Sequence, residues 1–143
     1  MAQRRTRRAT LASLFVKAFD QGDADAAIAL MCKYPVWEFA VGPTPAGARY
    51  VGVAAVRNAM NDTFRSNPGA SYRTIRSYSC SDSVIQEIHV QCRAKKLNLH
   101  ALDIFTFNNA DEIVSKRTYR KIVTRKTSRS RGRIVGSRKG IDS

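Results

Sequence analysis

Residues 97–122 read LNLHALDIFTFNNADEIVSKRTYRKI, and the alternation in this stretch decides the fold. Side chains on a strand alternate between its two faces, so Leu97, Leu99, Ala101, Asp103, Phe105 and Phe107 share one face of a strand over 97–107. The polar run Asn108-Asn109-Ala110 breaks it, and a second strand follows over about 113–122. Asp103 is thus a carboxylate in the middle of an otherwise apolar, core-facing row. Working backwards, strands are predicted over about 72–80 and 83–93, separated by Ser81-Asp82 and closed by Ala94-Lys95-Lys96. In the latter, Val84, Ile88, Val90 and Cys92 share one face, and Glu87, His89, Gln91 and Arg93 the other.

Ahead of Tyr72 the period changes. Leu11, Leu14, Phe15, Ala18 and Phe19 recur at helical spacing and predict a helix over about 6–19, stopped at Asp20-Gln21-Gly22. Asp23 is a good N-cap for a second helix reaching about Lys33, with Ile28, Leu30 and Met31 available for burial and Pro35 ending it. The segment 36–41, VWEFAV, reads as a strand with Trp37, Phe39 and Val41 on one face. Gly52 opens a third helix with Val53, Val56, Met60 and Phe64 on one stripe, closing at Asn67-Pro68-Gly69. Three helices followed by an antiparallel meander specify an α+β fold.

The bulk properties set the bounds. At 143 residues with 43% hydrophobic residues, the chain is one domain with a core that needs no disulfide or metal. Cys32, Cys80 and Cys92 form no CxxC or Cys/His cluster, so reduced, buried thiols are expected, with no metal and no cofactor. No apolar run is long enough to cross a membrane, and the short apolar stretch after the N-terminal arginines is no signal-peptide core; a cytoplasmic location is expected. The net charge of +14 is concentrated at the ends: residues 9–115 balance ten basic against ten acidic residues, whereas 1–8 hold four arginines and 116–143 hold eleven basic residues against Asp142. The organisation expected is a basic N-terminal extension (1–8), a folded domain (9–122) and a basic disordered tail (123–143).

The runs LFVKAFDQGDADAAIALM, VWEFAVG, YVGVAAVRNAM and LDIFTFNNADEIVSKRTY, spanning about residues 11–122, resemble the nuclear-transport-factor-2-like superfamily, in particular its SnoaL-like and ketosteroid isomerase-like branch. The resemblance implies a curved antiparallel sheet wrapped around three N-terminal helices, a cone-shaped, cystatin-like roll that commonly forms a homodimer. Ketosteroid isomerase chemistry requires a carboxylate base, with a tyrosine and a protonated aspartic acid to hold the dienolate oxygen. By the resemblance the oxyanion-hole aspartate falls on Asp103, the tyrosine on Phe15 and the base on Phe39. Two of the three positions therefore carry phenyl rings that neither donate nor accept a proton. Glu38 neighbours the missing base, but strand alternation points it away from the pocket. The cyclase-type base falls near Thr118, and Ala101 stands where the epoxide-hydrolase set needs an acid.

Asp103 is accordingly the one catalytic candidate. It reads either as a ligand-facing acid kept neutral by its apolar neighbours so that it donates a hydrogen bond, or as a buried carboxylate paired with Lys116, which shares a face with Thr118. An unpaired buried charge is costly, so a partner or a proton is required in both cases. Phe15, Trp37, Phe39, Met60, Phe105, Lys116 and Thr118 are the candidate pocket residues. His89 and His100 fall on outward faces, as surface or dimer-interface residues. Arg4, Arg5, Arg7, Arg8 and the tail RKTSRSRGRIVGSRKG attract polyanions, including nucleic acid, without sequence-specific readout.

Three functions remain compatible with the sequence. The first is a SnoaL-like pocket protein binding a small hydrophobic or polycyclic molecule. The second is an isomerase, cyclase or dehydratase using Asp103 in a rearranged site. The third is a non-catalytic module for proteins or polyanions.

Overall fold

The computed structural model describes residues 2–124. Helix α1 (Ala2–Asp20) is followed by α2 (Ala24–Ile28), β1 (Met31–Glu38), β2 (Arg49–Val51), α3 (Val53–Ser66) and four strands: β3 (Ser71–Cys80), β4 (Ser83–Cys92), β5 (Leu97–Phe107) and β6 (Ile113–Arg120). The six strands form one curved sheet in the order β2-β1-β6-β5-β4-β3. The α+β cone expected from the sequence is present.

One pairing departs from an antiparallel sheet. β1 runs parallel to β6, with Trp37 beside Lys116 and Met31 beside Ile113, so the sheet is mixed. The same region shortens α2, which ends at Ile28 instead of near Lys33. Asp23 does cap it, accepting from the Ala26 N–H at 3.0 Å. The chain then enters β1 at Met31, and the Ile113 N–H donates to the Leu30 carbonyl at 3.0 Å. Pro35, read as a helix stop, lies inside the strand where the β1–β6 register shifts, a position that does not require its missing N–H. β1 in turn stops at Glu38, leaving Val41 60% exposed in the following loop. That loop folds tightly: Gly47 has φ +80°, and a Cβ there would stand 2.1 Å from the Phe39 carbonyl oxygen.

α1 also begins earlier than the apolar period suggests, at Ala2. Its buried stripe is Arg8, Ala12, Phe15, Val16 and Phe19, while Leu14 is half exposed. Helical spacing from Ala12 back by one turn reaches Arg8, which explains why an arginine is only 8% exposed. α1 packs on β3 and β4, and α3 on β1 and β2, so the core lies between the helices and one face of the sheet. Cys92 is buried, but Cys32 is half-buried and Cys80 exposed, correcting the expectation of three buried thiols; all three are free. Cys80 lies at the end of β3 in the β3–β4 hairpin, where all of 75–80 is exposed. No helix among the described residues is long and apolar enough to cross a membrane.

Candidate functional site

One small cavity of about 60 Å³ opens between α1 and the inner face of the sheet. Phe15, Val16 and Phe19 of α1 form one wall, with Ile88, Val90 and Ala101 opposite; Asp103, Lys116, Thr118 and Tyr72 make it polar. The sheet register assembles that polar end. Asp103 on β5 stands directly across from Thr118 on β6, and Lys116 is one inward-facing position further along. The Thr118 hydroxyl donates to Asp103 Oδ1 at 2.7 Å, and Lys116 Nζ lies 3.6 Å from the same oxygen. Both side chains of the ion pair retain under a tenth of their surface.

The ammonium is held by more than the carboxylate. Lys116 Nζ sits 5.0 Å from the ring centre of Phe19, 5.1 Å from Trp37 and 5.9 Å from Phe15, a cage of negative ring faces. Burial lowers the pKa of Lys116, and the Asp103 charge acts against that fall. Tyr72 contributes a phenol from β3, and burial pushes its pKa up to about 12, with Cys92, Asp103 and Asp20 adding to the rise. It is therefore a neutral hydroxyl donor at any physiological pH. The arrangement offers a ligand an apolar slot, a cation–carboxylate pair and two hydroxyl groups at its polar end.

Of the residues singled out from the sequence, Asp103, Phe15, Lys116 and Thr118 line this cavity. Trp37, Met60 and Phe105 do not; each is at most 1% exposed and fills the core. Phe15 packs edge-on to Phe105 at 5.3 Å, and Trp37 to Phe39 at 4.5 Å, so aromatic rings occupy space an open cone would leave free. Phe39 is half-buried against Trp37 and Tyr50. Glu38 pairs with its register partner Arg49 at 3.6 Å and is not part of the cavity. The Trp37 indole N–H is buried with no hydrogen-bond partner among the described residues.

Three residues escaped the sequence reading. Phe19 belongs to the stripe of α1, but nothing in the stripe shows that it turns toward Trp37, Phe64 and Tyr72 at once. Tyr72 opens a strand whose later residues are exposed, so no burial pattern marks it. Gln86 was legible: it alternates with Val84 and Ile88, and it is fully buried. Its amide donates to Ser13 Oγ at 3.0 Å and accepts from Thr74 Oγ1 at 3.0 Å, tying α1 to the sheet.

His89 and His100 face each other at 5.4 Å across β4 and β5. His100 reaches Glu87 at 3.3 Å, and His89 hydrogen-bonds Asn98 at 2.7 Å, both away from the cavity. No group of three or more metal-ligating side chains occurs among the described residues. Of the two basic ends, Arg4, Arg7 and Arg8 converge on Asp111 at 3.1, 3.6 and 2.7 Å. The Arg8 hydrogen bond, more than any other contact, holds the Asp111 carboxyl below the usual carboxylate range. The tail expected over 123–143 lies, from residue 125 on, outside the described residues.

The sequence pattern of the SnoaL-like domain matches residues 12–116. Among solved structures, an NTF2-like protein of unknown function from Mesorhizobium loti is similar at 21% identity and a TM-score of 0.70, over 83% of this chain and 94% of that one. A SnoaL-like protein of unknown function from Burkholderia thailandensis is similar at 18% identity and 0.67, over 81% and 97%. The epoxide hydrolase/cyclase-like enzyme SalBIII, with a role in pyran ring formation in the polyether salinomycin, is similar at 17% identity and 0.67, over 82% and 92%. At such identities the likeness establishes the fold alone. No curated protein matches the chain in sequence.

Proposed function

The chain belongs to the SnoaL-like domain family, and from that premise we propose that it binds a small hydrophobic molecule carrying one polar atom. The observation behind this reading is the single cavity wall in which apolar side chains of α1, β4 and β5 end on Asp103, Lys116, Thr118 and Tyr72. A ligand carbonyl or hydroxyl takes the place of water at the polar end, and its apolar body lies against Phe15, Phe19 and Val90. The cavity holds about two waters' worth of space at roughly 30 Å³ each. Sites for drug-sized ligands span roughly 300–1,000 Å³, so a polycyclic skeleton requires the slot to widen.

Thermal unfolding against steroids, aromatic polyketides, terpenoids and smaller cyclic ketones tests the reading. A ligand at 100 times its dissociation constant stabilises by about 2.7 kcal/mol, several degrees for a domain of this size. A shift in the wild type that shrinks in Tyr72→Phe and Asp103→Asn supports the polar anchor. Equal shifts in all three proteins sink the anchor, and no shift with any compound sinks the pocket.

A second reading, proton-transfer catalysis as an isomerase, cyclase or dehydratase, is favoured by one observation. A lysine whose pKa is lowered by burial stands beside a carboxylate, an arrangement suited to moving a proton. Under this reading Asp103→Asn abolishes turnover; under the first it changes affinity only. We further propose a homodimer through the sheet face opposite the helices, where Leu102 and its register partner Tyr119 are exposed. Light scattering of wild type and Leu102→Glu distinguishes dimer from monomer.

A further inference from the structure

A second cleft, of about 370 Å³, lies at the start of α1, between Arg4, Arg5 and Arg8 on one side and the β3–β4 hairpin serines Ser79, Ser81 and Ser83 on the other. We propose that it binds the phosphate or diphosphate group of a small phosphorylated molecule, independently of the Asp103 cavity.

Two of its arginines are fixed in advance. Arg8 spends Nε on Asp111 at 2.7 Å and one terminal nitrogen on the Asn108 carbonyl at 2.9 Å, and it lies 5.4 Å from the centre of the Phe107 ring. Its side chain is nine-tenths buried while still lining the cleft. Arg4 is held likewise by Asp111 and the Asn109 carbonyl. Each guanidinium keeps a second terminal nitrogen without a partner among the described residues. Arg5 makes no ion pair among them. Guanidinium groups fixed in this way lose little freedom on forming the paired hydrogen bonds that phosphate oxygens accept.

The charge balance favours an anion. Arg4, Arg5, Arg7 and Arg8 face two carboxylates here, Asp111 and the cleft-lining Asp82, which accepts from Ser83 at 3.1 Å. The first turn of the 19-residue α1 contains no acid, and arginines crowd the positive end of the helix dipole. Asp111 offsets that repulsion in part, and a bound phosphate offsets the remainder. The Ser79 and Ser81 hydroxyls have no partner among the described residues and supply further donors. Beyond the volume of the phosphate itself, the cleft has room for the molecule that carries it.

The test is NMR titration of the full-length protein with pyrophosphate and with a nucleoside monophosphate, against sodium chloride at matched ionic strength. The expected result is saturable shifts centred on residues 4–8 and 79–83, a dissociation constant raised at least fivefold in Arg5→Ala, and loss of those shifts in Ser81→Asp. Both positions are exposed, so neither variant threatens the fold. Shifts that follow ionic strength alone, or that are unchanged in both variants, overturn the site. Strong binding of a short oligonucleotide with no response to pyrophosphate also overturns it, assigning the arginines to a nucleic-acid backbone instead.

Discussion

Two of the cation–carboxylate groups of this protein, Asp103–Lys116 within the core and Asp111 with its three arginines at the rim, are built in opposite ways. Inside, one cation meets one anion, both nearly stripped of water, with a hydroxyl and three aromatic rings completing the shell. At the rim, one carboxylate is shared by Arg4, Arg7 and Arg8, of which only Arg8 is buried. The inner group has little latitude, because desolvation penalises whichever member loses its partner. The rim group has cations to spare. A buried ion pair adds little net stability relative to well-packed apolar residues in its place.

Breaking the inner group has the largest expected effect. Asp103→Ala leaves the Lys116 ammonium buried without its anion and destabilises by about 3–5 kcal/mol, read by urea denaturation. Adding Lys116→Met to it recovers most of that loss; a double variant as unstable as the single one contradicts the contrast drawn above. Gln86→Ala comes next, at about 1–3 kcal/mol, since it leaves Ser13 and Thr74 without their buried partner.

Both lowered pKa values make stability rise with pH, but the charged form is the favoured one at Asp111 and the disfavoured one at Lys116. The Asp111 pKa is lowered in the folded state, so its contribution is complete above about pH 3.9, the unfolded value, and is lost as pH falls through the folded value. Asp111→Asn therefore flattens the acid limb of the stability curve. Lys116 also has a lowered pKa, but the cationic form is the one disfavoured. Its penalty is present below the folded pKa and is relieved as pH rises from there to about 10.4, the unfolded value. Lys116→Met removes this alkaline rise. The smallest effect is spectroscopic: burial puts the Tyr72 pKa at about 12, and Tyr72→Phe removes a phenolate step near that pH from the absorbance titration.

The sequence made the meander legible because β4 and β5 alternate cleanly. The inner face of β5, from Leu99 to Phe107, is buried at every position. Asp103 with Lys116 and Thr118 was legible for the same reason, since an antiparallel pair sets its own register across a short turn. The β1–β6 pairing was not: parallel partners so far apart leave no local pattern, and the Ala-rich 24–30 reads as helix beyond its actual end. The filling of the cone was also hidden. Trp37, Met60 and Phe105 have the right chemistry to line a pocket, and only packing shows that they fill the core instead.

The parallel pairing of β1 with β6 has a kinetic consequence. Trp37 and Lys116 are about eighty residues apart along the chain, so this contact closes the longest loop in the sheet, a step with a high entropic barrier. The β3–β6 meander, joined by short turns, is able to form first and wait for β1 to dock along its edge. Trp37 is the single tryptophan and is almost fully buried in that docked strand, so its fluorescence reports the last event of folding separately from the rest.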